Sequence, residues 1–144
     1  MKELRTEIEI GAPPDRVWQA LIDFDKYPEW NPFLTRAEGK AAVGVQVKIV
    51  FKFGARDTTL KCRIVTLEPN RELLWTWHIL FPALYGGEHR FAIEPLAENR
   101  ARFVQREVFN GLLLPLFAKG IDSSTRQGFE AMDQALKARA EGAS

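Results

Sequence analysis

The chain has 144 residues, the length of one domain, and 20 lysines and arginines stand against 19 acids, so no charge excess marks a dedicated nucleic-acid or anionic-membrane binder. One cysteine, Cys62, and two histidines exclude an internal disulfide and the usual zinc spacings, and nothing in the pattern asks for a metal or another cofactor. The start, Met-Lys-Glu-Leu-Arg-Thr-Glu, is no signal peptide, and no apolar run approaches the ~20 residues of a membrane helix, so the expectation is one cytoplasmic domain over 1–144 with no integral membrane segment.

Residues 3–10 alternate, with Leu4, Thr6, Ile8 and Ile10 on one face, which is the period of a half-buried strand. Gly11 to Asp15 breaks it and starts a short helix whose apolar side is Val17, Trp18, Leu21 and Ile22. Two prolines and several acids between Asp23 and Phe33 allow only a second short helix or turn, which plugs one end of the sheet. A meander follows, with strands near 34–39, 45–53, 58–68, 71–81, 88–96 and 101–109. Its inward positions include Phe51, Phe53, Leu60, Cys62, Trp75, Trp77, Ile79, Phe81, His89, Phe91, Pro95, Phe103, Gln105 and Glu107. From Leu113 onward apolar residues recur close to helical spacing through Leu116, Phe117, Ile121, Phe129, Met132 and Leu136, which predicts one long helix over about 112–140. Asn110 or Gly111 can cap it, and Pro115 suits its first turn. Gly120 and Gly128 weaken it by roughly 1 kcal/mol each, which makes sense where another surface or a ligand comes close. Only the last few residues look ready to fray. Strand, two short helices, six antiparallel strands and a long helix make an α+β domain, a curved sheet of about seven strands wrapped on one helix.

Several motifs, in order, carry a resemblance over nearly the whole chain. They are Ile10-Gly-Ala-Pro13 followed by Val17-Trp18, Tyr27-Pro-Glu-Trp-Asn-Pro-Phe33, His89-Arg-Phe-Ala-Ile-Glu-Pro95, Glu107-Val-Phe-Asn-Gly111 and Phe129-Glu-Ala-Met-Asp-Gln-Ala-Leu136. The sequence resembles the SRPBCC superfamily, the helix-grip fold of START domains and birch-pollen-type allergens, in its bacterial polyketide cyclase/dehydrase-like branch. The resemblance implies an apolar cavity between the sheet and the first half of the long helix, and a small hydrophobic ligand. The fold hosts carriers, receptors, cyclases and chaperone activators, so activity has to be argued from the site.

Polar residues on inward faces are the informative ones. With the turn around Ala97-Glu98-Asn99, pairing 95 with 101 sets 91 opposite 105 and His89 opposite Glu107. Directly paired Cβ atoms lie ~4.5–5.5 Å apart, so imidazole and carboxylate are neighbours. They are a self-satisfied structural pair, or a pair exposed by a register slip, or a polar anchor or acid/base pair inside an apolar pocket. Charge pairing with an ionised Glu107 in a wet cavity would raise the His89 pKa. The expected binding set is Trp30, Phe51, Cys62, Trp75, Trp77, Tyr85, His89, Phe91, Gln105, Glu107, Leu113, Phe117 and Ile121, with Trp30 and Tyr85 as half-wet rim residues at the entrance. Other groupings carry less. Asp122, Ser123 and Ser124 with His78 lack the spacing and elbow of a hydrolase triad. Asp23, Asp25 and Glu29 read as a solvated acidic turn, Cys62 as an inert core thiol, and the arginines from Arg71 to Arg106 as an outer charged face. The expected function is binding or carriage of a small, largely apolar lipid, polyketide or isoprenoid-like molecule. The alternatives are a cyclase or dehydratase using His89 and Glu107, or a protein-interaction domain with a filled core.

Overall fold

The computed structural model describes residues 1–142, so the fraying expected at the extreme C-terminus falls partly on residues 143 and 144, outside the described residues. The elements are β1 (Lys2–Ile10), α1 (Pro14–Ile22), a 3-10 turn (Phe24–Lys26), α2 (Tyr27–Trp30), β2 (Leu34–Glu38), β3 (Gln46–Phe53), β4 (Arg56–Glu68), β5 (Glu72–His78), β6 (Gly86–Ala97) and β7 (Arg100–Asn110). The chain then runs through α3 (Leu114–Gly120), a π-helical turn (Ile121–Thr125) and α4 (Arg126–Gly142), a continuous helical stretch of 29 residues. The fold is the helix-grip α+β arrangement, a curled seven-stranded antiparallel half-barrel around the C-terminal helix. No helix among the described residues is long and apolar enough to cross a membrane.

The strand order is β1-β7-β6-β5-β4-β3-β2. All neighbours from β2 to β7 are hairpins in sequence, and the first strand closes the sheet beside the last. The β6–β7 register pairs Pro95 with Ala101, Ile93 with Phe103, Phe91 with Gln105 and His89 with Glu107, as the alternation of the two strands predicts. A bulge between Ile64 and Thr66 lets β4 switch face part-way.

The C-terminal helix differs from its expected form at its start and its middle. Neither Asn110 nor Gly111 caps it. Leu113 is the residue before the first turn, and Pro115 does lie within that turn. Gly111, at φ +125°, instead lets the chain pass against the backbone of Leu84 and Tyr85, where a Cβ would lie 2.5 Å from the Leu84 carbonyl oxygen. The π turn then widens the helix beside the sheet and carries Ile121 and Thr125, both buried, on its inner side. Gly120 and Gly128 flank it where rings of the sheet side press in. A Cβ would meet Phe53 Cζ at 2.5 Å in one case and Phe33 Cδ1 at 2.3 Å in the other.

Strand β5 ends at His78, so Ile79 and Phe81 belong to a loop and are partly exposed rather than part of an inward strand face. Pro95 is likewise exposed, beside a bulge that ends the regular pairing. Four of the outer arginines are paired with carboxylates, Arg90 with Glu72, Arg100 with Glu9, Arg102 with Glu7 and Glu94, and Arg106 with Glu3. Glu29 of the acidic turn bonds Lys26 and Arg139.

The helix is unevenly packed. Phe129, Met132 and Leu136 are fully buried, whereas Phe117 is half-buried. Leu136→Ala should therefore cost about 2–5 kcal/mol, and Phe117→Ala distinctly less, because part of Phe117 has no neighbour to lose. Equal losses in urea unfolding would mean that the first half of the helix seals a solid core.

Candidate functional site

A cavity of about 160 Å³ lies between the sheet and the start of the C-terminal helix. Phe51, Cys62, Trp75, Trp77, Tyr85, His89, Glu107, Phe117 and Ile121 of the expected set line it, joined by Phe33, Phe53, Thr58, Leu60 and Thr125. Four expected residues do not. Phe91 stacks on one face of the His89 ring, Gln105 meets the ring edge at Nε2, and Leu113 packs beside the cavity on the core. Trp30 is turned away altogether. The 3-10 turn and α2 point Tyr27 inward, its hydroxyl donating to the Leu21 carbonyl, and leave Trp30 edge-on to Tyr27 in a separate groove with Arg16 and Arg139. Phe33 takes the cavity side, because the Asn31 side-chain oxygen accepts from the amides of Phe33 and Leu34 and fixes the start of β2. Tyr85 is buried rather than half-wet, stacked on Phe117 at 4.7 Å and edge-on to Trp77 at 5.1 Å.

Polar groups gather at one end of this apolar space. Trp77 Nε1 donates to Glu107 Oε2 at 2.7 Å. Glu107 Oε1 lies 3.6 Å from His89 Nδ1, too far for a direct hydrogen bond. On its far side His89 Nε2 meets Gln105 Oε1 at 2.9 Å, and Gln105 Nε2 donates to Asp133 Oδ1 at 2.7 Å and to the Phe129 carbonyl at 3.2 Å. Two acceptors around the Gln105 amino group leave its oxygen for His89. The reverse orientation would set that oxygen against a carboxylate and a carbonyl. His89 Nε2 must then carry the proton, and Nδ1 presents a bare lone pair toward Glu107. Ring nitrogen-15 NMR at neutral pH should show a protonated Nε2 and an unprotonated Nδ1. The opposite tautomer would mean that Gln105 does not orient the ring.

Burial decides the charge states, against the expectation that pairing would raise His89. The imidazole is stacked between Phe91 at 4.0 Å and Phe129 at 4.8 Å. Burial pushes its pKa down to about 3, with the Gln105 bond opposing. Burial likewise pushes Glu107 up to about 8, against the Trp77 hydrogen bond. At neutral pH the pair is a neutral base beside a neutral acid. Asp133 is raised to about 6 by burial, with the Gln105 bond pulling the other way. Burial, then the charge of Glu107, raises the Cys62 thiol and the Tyr85 phenol, so neither is poised as a nucleophile.

Asp133 and the Trp77 donor are the parts that strand alternation does not reveal. Asp133 had a signal all the same, since it shares the helical face of Phe129, Met132, Leu136 and Ala140, all buried. A carboxyl at a core-facing helical position needs a partner in the core.

A sequence model of the polyketide cyclase / dehydrase and lipid transport family matches residues 1–141. The chain belongs to this family. Its members' range gives the chain a hydrophobic-ligand-binding or cyclase-type role. No curated protein matches it with significance. Among solved structures, it is similar to the Zhui aromatase/cyclase of a Streptomyces species, with a TM-score of 0.81 and 17% identity over 97% of this chain and 93% of that one. A START superfamily protein from Mycobacterium smegmatis follows the same path, with a TM-score of 0.77 and 18% identity over 99% of both chains. So does a norcoclaurine synthase point mutant from Thalictrum flavum, with a TM-score of 0.72 and 15% identity over 99% and 96%. At such identities these similarities concern the fold.

Proposed function

We propose that this family member binds and carries a small, largely apolar molecule that bears a hydroxyl group. The observation that supports this is the 3.6 Å gap between Glu107 Oε1 and His89 Nδ1 at the polar end of the cavity. With Oε2 taken by Trp77, the carboxyl proton belongs on Oε1, and the facing nitrogen is an acceptor. A hydroxyl oxygen about 2.8 Å from each would accept from the acid and donate to the imidazole, satisfying both. The remaining wall is apolar, as a small-molecule site requires. A space of 160 Å³ holds about one aromatic ring, and the rest of a longer lipid or polyketide would extend past Tyr85 and Phe117.

Native mass spectrometry of the freshly purified protein tests occupancy, and the pair 2-naphthol and naphthalene tests the anchor. Tryptophan fluorescence titration should give 2-naphthol at least roughly tenfold tighter binding, since naphthalene would leave the buried acid and base unpartnered. Equal affinities would sink the hydroxyl anchor.

The opposed charge states favour one second reading, a dehydratase or cyclase. A protonated Glu107 can give its proton to a departing hydroxyl while His89 Nδ1 takes a carbon-bound proton, with net loss of water. On that reading Glu107→Gln retains binding and loses all conversion, whereas a carrier shows altered affinity and no turnover in either form.

A further inference from the structure

The loop 79–85 and the segment 110–121 form one surface. The Leu112 amide donates to the Ala83 carbonyl at 3.1 Å and the Leu113 amide to the Leu84 carbonyl at 2.9 Å. Apolar side chains project from it into solvent: Leu80 is 83% exposed, Leu112 and Leu116 each 77%, and Phe81 50%. Leu80 sits at φ +60°, a left-handed conformation that leucine adopts only when its surroundings impose it. Here a network of loop bonds does so, with the Ile79 amide on the Tyr85 carbonyl and the Leu84 amide on that of Phe81. The loop thus holds a bulky apolar side chain outward. Ile79, Tyr85 and Phe117, from the same two segments, form part of the cavity wall.

We propose that this surface docks on a lipid bilayer and opens the cavity to it. Three observations choose the bilayer over a protein. The two segments contain no acid, and their single charge is Lys119, exposed one turn after Leu116 and without an ion-pair partner among the described residues. Apolar tips beside a cation match the acyl and phosphate layers of a membrane surface. Second, Leu80, Leu112 and Leu116 are each more than three-quarters exposed, so they project from the surface as tips that can enter an acyl layer. Third, the patch is continuous with the cavity wall, so an apolar ligand passing between cavity and acyl layer need not cross water.

The purpose assigned to the patch rests on the ligand-binding reading above, but docking itself can be measured on ligand-free protein. The test is co-sedimentation with phosphatidylcholine vesicles, plain or doped with phosphatidylserine. Leu80→Asn suits a left-handed backbone, and Leu116→Glu places an acid in the first turn of a helix, so the double variant should fold. We expect the wild type to partition onto vesicles and the double variant to lose at least roughly tenfold. Lys119→Gln should lose about fivefold on the doped vesicles only. A wild type that stays in solution, or a double variant that partitions equally, overturns docking. So does a concentration-dependent dimer that the double variant abolishes, which would make the patch an interface between copies of this chain. Binding of 2-naphthol without vesicle partition sinks docking alone, and partition without 2-naphthol binding sinks the cavity reading alone.

Discussion

Glu107→Gln is expected to match the wild type in its pH response below about pH 4.5 and to become steadily more stable than it at higher pH. The Glu107 carboxyl has an ordinary value of 4.5 and is raised to about 8 in the fold. Between these values the unfolded chain has released the proton and the folded chain keeps it. The stability that Glu107 contributes is fully present below 4.5 and is lost as pH rises through 8. Glutamine is a neutral isostere that still accepts from Trp77, so the difference between the two proteins isolates this titration. His89, Cys62, Tyr85 and Asp133 are common to both. The difference should grow by about 1.4 kcal/mol per pH unit within the window. Urea unfolding at a series of pH values measures it. A constant difference would mean that Glu107 is ionised in the folded protein, and the hydroxyl anchor would lose its donor.

Gly128→Ala should destabilise the protein, although helix propensity alone favours alanine by about 1 kcal/mol. The added methyl would lie 2.3 Å from Phe33 Cδ1, and the ring can clear it only by shifting toward the cavity and giving up its present contacts. Its ring is packed edge-on against Phe51 at 5.9 Å and against Phe129 at 5.5 Å. Overpacking of this kind costs about 1–3 kcal/mol and sometimes more, so packing wins over propensity. Gly120→Ala is the control. Its methyl would meet the far end of the half-buried Phe53 ring, beside the exposed tip of the β3–β4 hairpin. That ring can swing aside, and the net effect should be near zero. If Gly128→Ala instead raises the urea midpoint, the Phe33 ring moves into the cavity at little cost.

Much of this architecture was legible because a sheet repeats every two residues. Once a short turn joins β6 to β7, alternation alone sets His89 beside Glu107, and the structure has that register. What alternation cannot give is the rotation of a helix about its axis. Trp30 departs from its expected place at the entrance, with a 3-10 turn of Phe24–Lys26 setting the phase before α2. Asp133 is hidden from alternation because its partner, Gln105, lies on a strand far back in the sequence. The charge state of His89 departs from expectation for a related reason. The ring was expected to face water in a cavity, but Phe91 from its own strand and Phe129 from α4 cover its two faces. Only the second of these comes from outside the sheet, and it removes the water that charge pairing needed.

The polar chain occupies one side of the molecule. Trp77, His89, Gln105, Glu107 and Asp133 sit on β5, β6, β7 and α4, while β3 and β4 give the cavity Ile49, Phe51, Phe53 and Leu60. On the proposed hydroxyl anchor, the contacts to a ligand's oxygen and this part of the apolar wall are therefore encoded by different stretches of chain. Drift in the β3–β4 hairpin can change the size of molecule admitted without touching the acid and base. On the proposed reading, a lineage built on this layout can change what it admits by altering one hairpin while its acid and base stay fixed.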